Sequence, residues 1–338
     1  MIVEVTRAEL VESQHQVDYC VVDERNEVVV ADGDVWNPIF LRSAAKPFIA
    51  AAVIAGGARE RFGLTPEEIA VMAASHSGES FHVDAVASIL RKLGLTPDVL
   101  QCGVHLPYNE VTAHAMLRSG EPPTALHNNC SGKHAGIIAL AVCLGVDPAG
   151  YLDLSHPAQR TILDFCARMS DEDPNQWPLG VDGCGIPVYA TSLRNAALAF
   201  MRLATLRGVS DHDAMALLLV RDAMIAHPRF VAGTAQLDTL LIEAGRGNIV
   251  CKVGAEGVHG VGICEAGIGF ASKVLDGASR ARGPSTISAL SHLGVLSVPI
   301  QSELAHLSRP IVYNRAGRRV GEIRVRNVAV LEASSHTE

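Results

Sequence analysis

The sequence predicts an α+β protein, an α/β sandwich in which one antiparallel sheet is flanked by helices and carries a helical lobe. Val-rich segments fill the first 40 residues, helical patterns dominate from about 60 to 230, and strand patterns return near residue 247. Strands and helices that are segregated into blocks favour an antiparallel sheet over the alternation typical of a parallel one. We therefore expect the N-terminal hairpin and the C-terminal strands to share one sheet in a single domain spanning 1–338.

Local signals place the individual elements. The polar turn Asp23–Asn26 between two Val-rich runs predicts a β-hairpin. Thr65, followed by Pro66 and Glu68, predicts a helix start with a capping box. Further patterns predict six helices, at Asp84–Leu93, Lys133–Leu144, His156–Met169, Thr191–Arg207, Asp211–Ala226 and Ser285–Leu293. They also predict a final strand at Val320–Leu331.

Composition excludes several classes of protein. With 48% hydrophobic and 19% charged residues over 338 positions, the chain is rich enough in apolar side chains to fold around a core. The net charge of −8 and the absence of a Lys/Arg-rich run argue against a nucleic-acid partner. No apolar run reaches the roughly 20 residues that span a bilayer, and the N-terminus does not resemble a secretory signal. We expect a cytoplasmic protein whose eight cysteines remain thiols.

Two segments offer hydroxyl groups for catalysis. Ser43 and Lys46 are three residues apart at a predicted helix start, so their side chains share a face, and desolvation of the amine would favour its neutral, basic form. The alternative is an N-cap serine with a solvated lysine. Ser75 lies in a small, polar segment after an apolar run, where it could be a nucleophile, a proton relay or an ordinary turn residue.

Two further segments carry cysteines beside small and polar residues. HNNCSGKHAG leads into a strongly apolar helix, and its GK pair does not fit a phosphate-binding loop because Lys133 is followed by His134. VDGCGIP places Cys184 between two glycines, which permit close backbone approach. Cys130 and Cys184 are therefore either a soft metal pair or two core thiols. Lys252, inside a Val-rich strand and two residues before a glycine, either enters a polar cleft or protects a sheet edge.

Taken in order, five blocks resemble a known family. RSAAKPF, ASHSGE, HNNCSGKHAG, VDGCGIP and KVGAEG run from residue 42 to 257. The first and last are similar to the S-x-x-K and K-x-G elements of the serine β-lactamases and penicillin-binding proteins, although the S-D-N element is absent. More closely, the chain resembles the second asparaginase family, the thermolabile Rhizobium etli-type enzymes, which look like members of the same fold superfamily.

The resemblance implies hydrolysis of the L-asparagine side-chain amide to aspartate and ammonia, by a homodimer. It implies two Ser–Lys pairs, an accessory zinc ion and a set of substrate contacts. These are Ser43 with Lys46 and Ser75 with Lys252 as catalytic pairs; Cys130, Lys133 and Cys184 as zinc ligands; and Arg42, His134 and Asp182 as substrate contacts. Lys273 competes with Lys252, which we prefer because it stands in the K-x-G context. Lys133 would have to be neutral to bind a metal.

Two other functions compete with the asparaginase hypothesis. One is a penicillin-recognising hydrolase or peptidase, which the missing S-D-N element and the two cysteines disfavour. The other is a non-catalytic zinc- or thiol-binding protein using Cys130 and Cys184, which leaves Ser43, Lys46 and Lys252 without a role.

Overall fold

The computed structural model describes residues 1–326, which form two compact units. The sheet unit comprises Met1–Ala44, Thr191–Thr205 and residues 240–326 of the described chain, and the helical unit comprises Ala45–Ala190 and Leu206–Thr239. Each unit is assembled from separate stretches of sequence, so no single cut in the chain divides them. The assignment of one domain over 1–338 stays a prediction.

Strands dominate the two ends of the chain. They are β1 (Ile2–Arg7), β2 (Leu10–Asp23), β3 (Val28–Asp32), β4 (Pro38–Phe40), β5 (Leu179–Val181), β6 (Pro187–Ser192), β7 (Ile249–Val253), β8 (Val258–Ile263), β9 (Ile268–Val274), β10 (Ile311–Tyr313) and β11 (Arg319–Arg326). The sheet unit contains an eight-stranded sheet in the order β10-β11-β1-β2-β9-β8-β7, with β3 also paired to β2. Neighbouring strands are antiparallel wherever their pairing is described, which confirms the predicted class of sheet.

The two ends of the described chain meet in this sheet. Ile2 pairs with Arg326 and Val5 with Ile323, so β1 and β11 are neighbours as predicted. The hairpin at Asp23–Asn26 is also confirmed, because β2 pairs with β3 directly across that turn. The predicted strand Val320–Leu331 is confirmed as far as residue 326, and its last five residues lie outside the described part of the chain.

Most of the helices in the described residues lie in the middle of the chain, and three of them follow strand β9. They are α1 (Lys46–Ala55), α2 (Ala58–Phe62), α3 (Pro66–Met72), α4 (Ser80–Lys92), α5 (Glu110–Ser119), α6 (Ser131–Cys143), α7 (Pro157–Ser170), α8 (Leu193–Thr205), α9 (Asp211–Ala226), α10 (Pro228–Val231), α11 (Leu237–Gly245), α12 (Arg282–His292), α13 (Val298–Glu303) and α14 (Ala305–Ser308). The fold is α+β, as the sequence predicts. None of the helices in residues 1–326 combines the length and apolarity needed to cross a membrane.

Glycines inside the strands of the sheet unit allow a helix to lie close to the sheet. A Cβ atom on Gly260 of β8 would lie 1.8 Å from the Phe200 ring of α8, so only glycine fits there. The preceding residue of the same strand is His259, whose Nδ1 lies 2.9 Å from Thr286 Oγ1 of α12. Because successive strand residues point to opposite faces, α8 and α12 cover the two sides of the sheet.

In the helical unit, α1 packs against α6, α7 and α9, and α3 packs against α4, α6 and α9. The capping box is confirmed, since Thr65 Oγ1 accepts from Glu68 N and Glu68 accepts from Thr65 N. The helix Asp211–Ala226 has the predicted bounds. The prediction for Thr191–Arg207 was wrong at its start, because Thr191 and the following residue extend strand β6.

Candidate active site

Lys46 is a fully buried lysine at the start of α1. Its Nζ donates to Ala74 O at 2.6 Å, to Ser75 Oγ at 3.0 Å and to Asn129 O at 3.3 Å. If Lys46 loses a proton, its amine gains a lone pair. Ser75 Oγ lies within hydrogen-bond distance of that amine and can donate to it. The arrangement therefore suits proton exchange between Lys46 and Ser75.

The segment 73–79 that carries Ser75 is anchored by hydrogen bonds rather than by regular structure. Ser75 N donates to Val231 O at 3.0 Å. Glu79 accepts from Ser77 Oγ at 2.8 Å, from Thr234 N at 2.7 Å and from Thr234 Oγ1 at 2.7 Å. This carboxylate ties two loops together beside Ser75. It lies inside the block ASHSGE, but nothing in the sequence indicates its partners.

Two stacked histidines support the same segment. The rings of His76 and His82 lie 4.9 Å apart, and both are fully buried. His82 Nδ1 accepts from Glu79 N and its Nε2 donates to Arg229 O, so its neutral form satisfies both nitrogens. Burial lowers the pKa of His82 to about 4, and burial also places the pKa of His76 well below its usual value.

The two predicted cysteines meet in a buried cluster. Cys130 precedes α6, and Cys184 lies in the turn between β5 and β6, where Gly185 adopts a φ of 92°. One ligand atom from each of Cys130, Cys184 and Asp182 lies within 4.8 Å of the other two. Lys133 Nζ donates to Cys184 Sγ at 3.0 Å and lies 3.8 Å from Asp182 Oδ2.

The side chains of this cluster stabilise one another's charged forms. The hydrogen bond from Cys184 places the pKa of Cys130 well below its usual value, and the neighbouring Lys133 acts in the same direction. The same bond and burial raise the pKa of Cys184, so the pair shares one proton. Burial opposes the charge on Lys133, but the cysteines and Asp182 outweigh it and raise its pKa. The surroundings thus favour the thiolate form of Cys130 and the ammonium form of Lys133, although both side chains are buried.

Two thiols and a carboxylate are a donor set suited to zinc. Cys130, Cys184 and Asp182 fit such an ion by chemistry and proximity. Lys133 fits less well, because its ammonium form has no lone pair and its neighbours favour that form. Asp182, which the resemblance places among the substrate contacts, therefore lies with the predicted zinc ligands.

His134 lies in the first turn of α6 and is fully buried. Its Nδ1 is 2.6 Å from Tyr151 Oη, and its Nε2 has no hydrogen-bond partner among the described residues. Burial, followed by the charges of Lys133 and Lys46, holds its pKa well below the usual value. A buried polar atom without a partner costs about 1–3 kcal/mol, so this nitrogen is suited to a ligand.

In the sheet unit, the segment with Ser43 lies against the strand end that carries Lys252. A Cβ atom on Gly254 would lie 2.5 Å from Leu41 O and 3.3 Å from Ala44 N, which explains the glycine of K-x-G. Lys252 is fully buried although β7 is an edge strand, so it does not act as an exposed edge charge. Its Nζ donates to the carbonyl of the next residue at 2.9 Å.

The competing lysine has a different environment. Lys273 is half-buried and donates to Glu256 O and Val274 O at 2.6 and 2.5 Å. Arg42, just before Ser43, has a φ of 51°. A non-glycine residue in this region costs about 1–2 kcal/mol, and such residues cluster at functional sites.

The family comparison matches almost the whole chain. A model described as L-asparaginase II matches residues 3–325. The chain belongs to the L-asparaginase II family. This confirms the resemblance and identifies an asparaginase-type hydrolase with a small-molecule substrate.

The chain also has a distant likeness to solved structures. Two crystal structures of Mglu, one of them its native form in the presence of 4.3 M NaCl, are each 14% identical over 84% of this chain, with a TM-score of 0.40. The chain covers 68% and 62% of their lengths. A search of curated proteins finds no match.

Proposed function

We propose that this L-asparaginase II family member hydrolyses the side-chain amide of L-asparagine to L-aspartate and ammonia, with serine and lysine side chains as the reacting groups. The observation that carries the proposal is the buried amine of Lys46, which lies 3.0 Å from Ser75 Oγ and also donates to the carbonyl oxygens of Ala74 and Asn129. An amide is a poor electrophile, so attack on it requires a base and a means of protonating the leaving nitrogen.

In the proposed reaction, Ser43 attacks the side-chain carbonyl carbon while Lys46 takes the hydroxyl proton. The carbon–nitrogen bond breaks, the proton passes to the leaving nitrogen, and ammonia departs from a Ser43 ester. Water then attacks the ester carbonyl carbon and transfers a proton to Lys46. The bond between that carbon and Ser43 Oγ breaks, Lys46 returns the proton to Ser43 Oγ, and aspartate leaves. Ser75 relays protons to and from Lys46. Lys252 forms the second catalytic pair with Ser75 and assists proton transfer at the Ser75 hydroxyl.

Recognition of free asparagine requires groups for both of its main-chain charges. Arg42 would bind the α-carboxylate, because its planar guanidinium matches that group. Asp182 would pair with the α-ammonium, and His134 Nε2 would donate to a substrate oxygen. The proximity of Asp182 to the cysteines supports a second possibility, in which its carboxylate holds metal instead.

Zinc is part of the proposal as an accessory ion. Cys130, Cys184 and Asp182 would hold it, and Lys133 would join them only as a neutral amine. Bound zinc would supply a fixed positive charge that orients a substrate oxygen. Binding would displace the proton that the two cysteines share. We also propose a cytoplasmic homodimer, and sedimentation of the purified protein would test the dimer.

The test compares ammonia release from asparagine and glutamine with turnover of a β-lactam reporter. We expect asparagine to be the preferred substrate and the β-lactam to be inert, whereas β-lactam turnover would support the penicillin-recognising alternative. Ser43→Ala should reduce asparagine turnover by about a thousandfold or more while leaving the fold intact. Ser170→Ala is the matched control, since Ser170 is a buried serine at the end of α7. A trapped acyl group on Ser75 would exchange the roles of the two serines, and full activity in Ser43→Ala would refute the assignment.

A further inference from the structure

Tyr151 belongs to none of the sequence blocks, yet it is buried against His134. Its side chain is 1% exposed, and the two rings meet edge-on with centroids 5.4 Å apart. Its backbone is fixed on both sides, because its N donates to Pro148 O at 3.1 Å and its O accepts from Gln159 Nε2 at 2.7 Å. The position of the hydroxyl is therefore set by the fold.

The hydrogen bonds of that hydroxyl determine where its proton lies. Gln101 N donates to Tyr151 Oη at 2.8 Å, so the oxygen is an acceptor in that contact. The remaining contact of the hydroxyl among the described residues is His134 Nδ1, at 2.6 Å. A backbone N–H cannot accept, so the hydroxyl proton has His134 Nδ1 as its acceptor. Leaving a buried hydroxyl proton unpaired would be unfavourable.

This direction fixes the tautomer of the histidine. When Nδ1 accepts, the neutral imidazole carries its proton on Nε2. Nε2 of His134 is buried and has no hydrogen-bond partner among residues 1–326. It is then a donor with no acceptor in the described part of the chain, and it can bind an oxygen but not an ammonium or amide N–H.

We propose that Tyr151 is a positioning residue that holds His134 as the Nε2–H tautomer, so that His134 donates a hydrogen bond to a carboxylate or carbonyl oxygen of the substrate. The identity of the substrate rests on the proposed function, whereas the tautomer does not. Tyr151 therefore contributes to ligand selection without touching the ligand.

The test reads the tautomer directly, by long-range ¹H–¹⁵N correlation of protein labelled at histidine, with His134→Gln to assign the signals. We expect the proton on Nε2 in the wild type and a mixture of tautomers in Tyr151→Phe. Tyr189→Phe is the control, because Tyr189 is another buried tyrosine, stacked on Trp177. Replacing tyrosine by 3-fluorotyrosine changes one atom of the ring and keeps the hydroxyl. It should therefore shift the Nδ1 signal of His134, and it provides a test even if Tyr151→Phe fails to fold.

Kinetics separates positioning from a purely structural role. Loss of one substrate hydrogen bond should raise KM for asparagine about tenfold in Tyr151→Phe, with kcat within about twofold. In the His134→Gln background the same change should add nothing, because no tautomer remains to be set. A wild-type proton on Nδ1, or an unchanged tautomer in Tyr151→Phe, overturns the proposal. A chain without asparaginase activity would refute the proposed function and leave the spectroscopic result standing.

Discussion

Gly132 allows α6 to lie close to α3, and a methyl group there should disrupt the site. A Cβ atom on Gly132 would lie 2.1 Å from Val71 O and 2.7 Å from Val71 C, both of which are backbone atoms. Ordinary contact distances exceed 3.4 Å. The shortfall is therefore about 1 Å, and neither partner can relieve it by rotating a side chain. Gly132→Ala must move one helix relative to the other.

The magnitude follows from two opposing terms. Overpacking of this kind costs typically about 1–3 kcal/mol, and rigid backbone partners favour the upper end. Replacing glycine by alanine inside a helix recovers about 1 kcal/mol. We expect a net loss of about 2 kcal/mol in the free energy of unfolding. At the unfolding entropy typical of a chain of 338 residues, this lowers Tm by about 3 °C.

Gly136→Ala is the matched control, one turn further along α6. Its Cβ would lie 2.8 Å from Met72 Sδ, an atom of a flexible side chain that can turn away. We expect this variant to lie within about 1 kcal/mol of the wild type. Urea unfolding of both variants, with m values compared, gives the measurement.

The same substitution should affect catalysis. Val71 O accepts from Ala74 N at 3.2 Å, and Ala74 O in turn accepts from Lys46. Displacing Val71 therefore moves an acceptor of the proposed base. We expect kcat to fall at least about tenfold in Gly132→Ala and to change little in Gly136→Ala. Equal stability and equal kcat in the two variants would refute the inference that backbone contact at Gly132 sets this geometry.

Two further predictions concern pH and metal. Because burial lowers the pKa of His82 to about 4, the unfolded chain binds a proton between about pH 6.5 and 4 that the folded chain does not, so stability falls as pH drops through this window. The contribution is about 3 kcal/mol by pH 4. His82→Gln should remove this amount from the pH dependence of the free energy of unfolding, measured by urea unfolding at each pH, and parallel curves for the two proteins would contradict it. For metal, Cys184→Ser should reduce zinc content after dialysis to below half of the wild-type value, whereas Cys143→Ser, at the far end of α6, should leave it unchanged; equal loss in both variants would argue against the cluster as the zinc site.

The order of the elements and the local signals within them can be predicted from residues that are close together along the chain. The turn at Asp23–Asn26 and the capping box of Thr65 depend on neighbours along the chain, which is why both were predictable. The five ordered blocks were likewise sufficient to indicate the family, which the match over residues 3–325 confirms.

Which side chains meet depends on how distant parts of the chain pack together. Helical spacing predicts that Lys46 and Ser43 share a face. The described hydrogen bonds of Lys46 reach Ser75, 29 residues away, and Asn129, 83 residues away. The fold also places Asp182 beside Cys130 and Cys184. Tyr151, which lies in the turn between α6 and α7, carries no local signal, because its role depends on a hydroxyl proton whose acceptor is His134 of α6. Such contacts are set by how helices and loops pack, and residue spacing along a chain contains no direct record of them.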